Sequence, residues 1–239
     1  MENPCEIDED WNKHESFLDE NGNETKHILY NASSELEGTT KCEYYDNGNM
    51  KKRVEYDSEG NETYAEECYL SGNRKYQMWF DGFNGNKYES FYNENGKEAK
   101  RNQYNLSGDL ESITEFEYYD NGKKKKLVEY DSEGNEIGSY EYYENGKEKY
   151  VSFKNGDGGI TERYWDETTY LLIKEVFSNA ENNYSERYYN SCGYVVTVKL
   201  YYSTGNLVSR TEYEYDEVGA KIHEVTYDAT GTITYEWRL

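Results

Sequence analysis

Glycine returns along this chain about every 12 residues, sometimes 14, and almost always a few positions after a tyrosine. The pattern reads Tyr44-Tyr-Asp-Asn-Gly48, Tyr56-Asp-Ser-Glu-Gly60, Tyr69-Leu-Ser-Gly72, Tyr92-Asn-Glu-Asn-Gly96 and Tyr104-Asn-Leu-Ser-Gly108. It continues through Gly122, Gly134, Gly146, Gly193, Gly205, Gly219 and Gly231. Between Gly146 and Gly193 the rhythm is weaker, carried by 155–159, 165–169 and 177–181. A short fixed period is the mark of a repeat architecture. Twelve residues hold one strand of roughly six to eight residues and one tight turn. Connections this short allow only antiparallel neighbours, because a parallel crossover needs far more chain.

The turn chemistry predicts the loop. In Asp131-Ser-Glu-Gly-Asn135 the aspartate suits the first position of a type I turn, and Gly134 suits the left-handed residue of a bulge. That makes a three-residue loop with Asp131 facing Asn135. Tyr130 then faces Glu136, and Glu117, Lys125, Glu141 and Lys149 form a ladder of opposite charges across strands. Phe116, Lys126, Tyr140 and Tyr150 fall on the opposite face, beside Tyr118, Lys124 and Tyr142, where lysine stems lie between aromatic rings. The predicted fold is all-β: a tandem β-hairpin meander of about 16 strands, forming an extended, twisted or spiral antiparallel sheet. Residues 1–40 fit the period poorly and read as an irregular N-terminal cap, with 41–239 as the repeat domain.

Composition sharpens this. Hydrophobic residues make up 35% of 239, and mean hydropathy is -1.18, yet 29 residues are tyrosine. Disordered chains are poor in aromatics, so the chain is ordered but thin in core. A net charge of -23 repels phosphate backbones and anionic lipid, which argues against nucleic acid and membrane insertion and toward a protein or carbohydrate partner. Met1–Asp10 has no apolar stretch, so it is not a signal peptide. The expected location is cytoplasmic, or the cell surface or exterior where an export signal has been trimmed.

The repeats Tyr56-Asp-Ser-Glu-Gly-Asn61, Tyr130-Asp-Ser-Glu-Gly-Asn135 and Glu212-Tyr-Glu-Tyr-Asp-Glu-Val-Gly219 resemble the YD repeats of RHS-type bacterial proteins. Tyr142-Tyr-Glu-Asn-Gly-Lys147, followed by Phe153-Lys-Asn-Gly156, resembles MORN-like repeats of antitoxin-like bacterial proteins. The resemblance covers about residues 40–235. It implies a repeat scaffold with carbohydrate or protein contacts. This chain is too short for the toxin-enclosing shell of the large RHS members.

No catalytic pattern is present. His14, His27 and His223 show no metal or triad spacing and read as surface polar residues; Cys5, Cys42, Cys68 and Cys192 are scattered and read as free thiols or small apolar fillers. No Walker loop, nucleophile elbow or dinucleotide fingerprint occurs, so the expectation is a non-enzyme without cofactor or metal. Asp57, Glu59 and Asn61 place oxygens at alternate positions as calcium loops do, but turn capping explains the same residues. The rhythm breaks at Trp79–Tyr92, where Trp79, Phe80 and Phe83 cluster, and at Trp165, where the turn glycine is missing. Repeat proteins place binding features at such breaks. With Tyr118 and Tyr142 these residues form the candidate binding set. The function expected is a noncatalytic scaffold for protein interaction; the alternatives are a carbohydrate-binding module using exposed Trp and Tyr rings, and a glycoside-active enzyme. Exposed end strands are able to pair between chains as an edge-to-edge homodimer.

Overall fold

The computed structural model describes residues 6–8 and 12–239. It contains strands and turns only, with no helix among the described residues. The strands are β1 (Glu6–Ile7), β2 (Lys13–Leu18), β3 (Glu24–Tyr30), β4 (Leu36–Tyr44), β5 (Met50–Asp57), β6 (Glu62–Cys68), β7 (Arg74–Phe80), β8 (Lys87–Tyr92), β9 (Glu98–Tyr104) and β10 (Leu110–Tyr118). They continue with β11 (Lys124–Asp131), β12 (Glu136–Tyr142), β13 (Glu148–Lys154), β14 (Ile160–Trp165), β15 (Leu172–Ser178), β16 (Tyr184–Tyr189), β17 (Val195–Tyr201), β18 (Leu207–Tyr215), β19 (Lys221–Asp228) and β20 (Ile233–Arg238). The chain divides into two compact units: Met1–Glu115 with Asp131–Gly134, and Phe116–Tyr130 with Asn135–Leu239. In the first, β1 to β9 and the start of β10 pair antiparallel in chain order. In the second, β11 to β20 do the same. The antiparallel hairpin meander is the predicted one.

The loops have the predicted bulged form. Asp57 N–H donates to the Asn61 carbonyl at 2.9 Å, and Gly60 N–H to the Asp57 carbonyl at 3.2 Å. Asp57 Oδ1 also accepts the N–H groups of Glu59 and Asn61. These bonds, above all the one from the Asn61 side chain, hold the Asp57 carboxyl below its ordinary range. Gly60 has φ 87°, which a side chain would resist. All twelve turn glycines named above have φ between 75° and 91°. Ser34 (φ 62°) and Asn182 (φ 61°) take the same place in loops without glycine. Ser34 is why the sequence underreads the N-terminal region. Residues 13–40 form β2, β3 and the start of β4 with ordinary hairpin loops, so the meander extends back through them.

The register differs from expectation by one residue. Tyr130 faces Glu136 as predicted, but a bulge between Glu129 and Tyr130 then brings Lys126, not Lys125, opposite Glu141. A second bulge brings Tyr150, not Lys149, opposite Glu141. The ion pairs Lys125–Glu117 (3.4 Å) and Lys149–Glu141 (2.8 Å) still form. The link between Lys125 and Glu141 does not, so the continuous ladder is broken in the middle. Lys126 and Tyr150 share a face with Glu141, while Tyr140 lies opposite Leu127 and Val151 on the other. The strand bulge between Glu129 and Tyr130 adds to the turn bulge marked by Gly134, and each one shifts the faces by one residue.

What holds the sheet is largely polar. The buried apolar side chains are few and small: Val54, Ala65, Cys68, Met78, Val128, Val151 and Val225. Val54, Ala65 and Met78 face one another in register, with Tyr56 and Tyr76 packed against them. Elsewhere carboxylates are clamped between phenols and cations. Glu186 accepts from Lys174 Nζ (2.6 Å), Tyr188 Oη (2.8 Å) and Tyr201 Oη (3.2 Å), while Lys174 lies between the rings of Tyr164 and Tyr188. Glu89 accepts from Lys87 (2.9 Å) and Tyr104 (2.8 Å), and the Lys87 ammonium sits 4.1 Å from the Tyr104 ring centre. Burial opposes ionisation of both carboxylates, but these donors outweigh it and hold both below the ordinary range.

Turns are also tied to each other. The hydroxyls of Tyr45, Tyr69, Tyr119 and Tyr143, each the first residue of its loop, donate to the carbonyls of Cys68, Tyr92, Tyr142 and Trp165, at 2.6 to 2.8 Å. Each bond skips one hairpin and reaches the next turn on the same side. The repeated Tyr-x-x-Gly signature is therefore turn geometry and turn-to-turn crosslink together.

Candidate interaction surface

The two breaks in the rhythm are one kind of loop. In the first unit, Asp81 N–H donates to the Asn86 carbonyl (2.8 Å) and Gly85 N–H to the Asp81 carbonyl (2.8 Å). In the second, Asp166 N–H donates to the Leu171 carbonyl (3.0 Å) and Tyr170 N–H to the Asp166 carbonyl (2.9 Å). Each loop holds one residue more than its neighbours, and its left-handed residue is Gly85 (φ 72°) or Tyr170 (φ 59°).

At the first break the candidate residues separate. Trp79 lies opposite Tyr64 and Tyr88 and stacks on Tyr88 at 5.4 Å, with Arg101 6.0 Å from its ring. It is half-buried and held on both sides. Phe80, the next residue, points to the other face and is 46% exposed. Phe83 is fully exposed at the loop tip, on a backbone fixed by Asp81 Oδ1, which accepts the Phe83 N–H at 2.7 Å. The next turn on the same side brings Leu106, also exposed, against the loop: a Cβ on Gly85 would lie 2.6 Å from Leu106 Cδ2. Leu106 escaped the sequence reading. Its signal was available, since a leucine at a turn tip has no local reason to be there.

At the second break Trp165 is half-buried, faces Leu172 and gives its carbonyl to Tyr143. Tyr142 ends β12, and burial pushes its phenol up, with Glu148 adding to the effect. Tyr118 ends β10 and is likewise half-buried. Trp165, Tyr118 and Tyr142 belong to the second unit and Trp79, Phe80 and Phe83 to the first.

The remaining sequence candidates resolve as follows. The Asp57 oxygens are taken by the loop itself, Oδ1 by two backbone N–H groups and Oδ2 by Asn61 Nδ2 at 2.9 Å. Cys42 and Cys68 are half-buried and buried, and burial pushes both thiols up, which makes them poor nucleophiles. Cys5 lies outside the described residues. The histidines are partly exposed and have polar partners: His14 and His27 hydrogen-bond to each other at 3.1 Å, and His223 lies between Glu214 (3.5 Å) and Glu236 (3.1 Å).

No family model and no curated protein matches this chain. Among solved structures, it is 13% identical to a chain of the Photorhabdus luminescens Tc holotoxin pore, with TM-score 0.33, covering 98% of this chain and 15% of that one. A TcdB2-TccC3 structure aligns at 13% identity and TM-score 0.33, over 95% of this chain and 15% of the other. A porin-like protein from Bacteroides uniformis aligns at 12% identity and TM-score 0.28, over 98% and 90%. This chain thus spans about a seventh of the length of the Tc structures. Identities and scores this low transfer neither a fold name nor a function.

Proposed function

We propose that this protein is a noncatalytic repeat scaffold that presents an extended surface to a protein partner, with the contact centred on Phe83 and Leu106. The observation that carries this is the rigid display of two large apolar side chains at adjacent turn tips. A monomer gains nothing by holding Phe83 in water on a loop whose backbone is fixed by Asp81. The chain's net charge of -23 favours a basic rim on the partner. The test is affinity capture with the wild-type chain and with Phe83→Asp plus Leu106→Asp, using Leu70→Asp as the matched control at another exposed turn. Loss of a basic partner in the double variant alone supports the surface. Equal capture by all three chains overturns it.

Carbohydrate is a second reading, favoured by a different feature. A slot of about 410 Å³ in the second unit is lined by Phe177, Leu200 and the 56% exposed Tyr202, with Asn179 and Asn183 beside them. Rings with neighbouring amides suit a pyranose, which offers an apolar face and polar edges. A glycan array decides it: retention that is lost in Tyr202→Ala supports a sugar site, and a clean negative removes it.

A further inference from the structure

One face of β2 to β5, in the first unit and away from Phe83, lines an open cavity of about 500 Å³. Its wall includes Asp8, His14, Glu24, His27, Tyr44 and Arg53. Two of the protein's three histidines therefore meet in one cavity. Their proton arrangement follows from their partners. His14 Nε2 lies 3.2 Å from Asp8 Oδ2, and an ionised carboxylate only accepts, so His14 carries its proton on Nε2. In the neutral ring, Nδ1 is then an acceptor. His14 Nδ1 lies 3.1 Å from His27 Nε2, so the shared proton belongs to His27 Nε2. Neutral His27 is left with its lone pair on Nδ1, and no described group donates to it. The chain Asp8–His14–His27 thus passes the carboxylate's polarisation to an imidazole nitrogen that is ready to accept.

The main donors of the wall are already used within it. Tyr44 Oη donates to the Glu24 carbonyl at 3.0 Å, and the Ser16 hydroxyl donates to Glu24 Oε1. Arg53 is turned to Glu55 at 2.5 Å and lies over the Tyr64 ring. The acceptors that the wall leaves with spare capacity are His27 Nδ1 and the Glu24 carboxylate, while the charge of Arg53 is matched by Glu55. A ligand matching this has several donors, no acceptor and positive charge, which describes a primary ammonium group. We propose that this cavity binds a primary alkylamine, with the ammonium on His27 Nδ1 and Glu24. The volume exceeds an ammonium several-fold, so an alkyl body is accommodated along with it.

The test uses the full chain with ¹⁵N-labelled imidazoles, cadaverine as probe, and 1,5-pentanediol as the neutral analogue of the same length. Two-bond NMR correlations report each tautomer directly. The expected result is the Nε2–H form for both His14 and His27. Cadaverine then shifts His27 Nδ1 while pentanediol does not, and its affinity falls at least tenfold in His27→Phe and in Glu24→Gln. An Nδ1–H form of His27 overturns the proposal. So does cadaverine binding that the two variants leave unchanged, which means only general attraction to an acidic surface. If His27→Phe fails to fold, the tautomers of the wild-type chain and the Glu24→Gln titration decide alone.

Discussion

The loops 81–86 and 166–171 share one backbone hydrogen-bond pattern and differ in what they do with their tips. At the first, the left-handed residue is glycine, the space above it is taken by Leu106, and Phe83 stands in water. At the second, a tyrosine occupies the left-handed position. Lys147 from the preceding turn on the same side lies 3.0 Å from the Tyr170 ring centre, and Asn145 donates to the Tyr170 hydroxyl at 3.1 Å. A β-turn residue other than glycine in this region costs about 1–2 kcal/mol. The second loop accepts that cost and is sealed to its neighbour. The first avoids it and stays open. The same irregularity in the repeat thus makes a closure in one unit and an exposed apolar tip in the other.

The networks behind the two loops differ as well, and this gives the largest expected effect. In the second unit, burial and the neighbouring carboxylates Glu175 and Glu186 push Tyr189 and Tyr201 up to about 12, and Tyr150 also rises, through burial and Glu162. In the first unit Tyr76 is pushed up to about 12, by burial and Glu89. A phenol with a raised value in the folded state stabilises it fully below pH 10. That contribution disappears as pH rises toward 12. Alkaline unfolding is therefore expected between pH 10 and 12. Tyr189→Phe and Tyr201→Phe made together should move its midpoint more than Tyr76→Phe alone does, since the second unit holds more of these raised phenols. Circular dichroism followed beside phenolate absorbance checks this, and an equal shift from the double and the single variant would erase the difference between the units. In acid the sign reverses. Glu89 and Glu186, both held below their ordinary range, lose their contribution as pH falls below the usual glutamate value near 4.3, so the first and second units weaken together.

Next in size is Gly85→Tyr, which places in the open loop the residue that the closed loop uses. It meets Leu106 and has no counterpart of Lys147 to hold its ring. The expected loss is about 1–2 kcal/mol, read from the urea midpoint at unchanged slope. A neutral result would mean that the two tips are interchangeable.

How far all this was readable from residues alone depends on distance along the chain. The hairpins and their bulged loops were legible because Asp57, Asn61 and Gly60 act within five residues of one another. Residues 13–40 were misread because Ser34 fills a glycine position without looking like one. The charge ladder failed at Lys125–Glu141 because a second bulge, beside Tyr130, follows the one at the turn and moves the pairing by one residue. Trp79, Phe80 and Phe83 were found as a break in the period, but their division between two faces and a tip needs the register. Leu106 on Gly85 and His14 on His27 join residues 21 and 13 apart in sequence, and nothing local announces either.

The smallest effects concern how the closed tip balances its strain. Lys147→Met removes the ammonium above Tyr170 but keeps an apolar stem, so it should cost about 0.5–1 kcal/mol, the size of one exposed cation–π contact. Tyr170→Gly removes the same contact together with the strain. Relief at φ 59° offsets the lost ring contact and the greater freedom of glycine in the unfolded chain, and the net change should lie within about 0.5 kcal/mol of zero. The two substitutions made together decide between strain and contact. If Lys147 acts only through the Tyr170 ring, then Lys147→Met should cost nothing in a Tyr170→Gly background. A full cost there would place the role of Lys147 elsewhere in its own turn, and the second loop would be closed by the tyrosine alone.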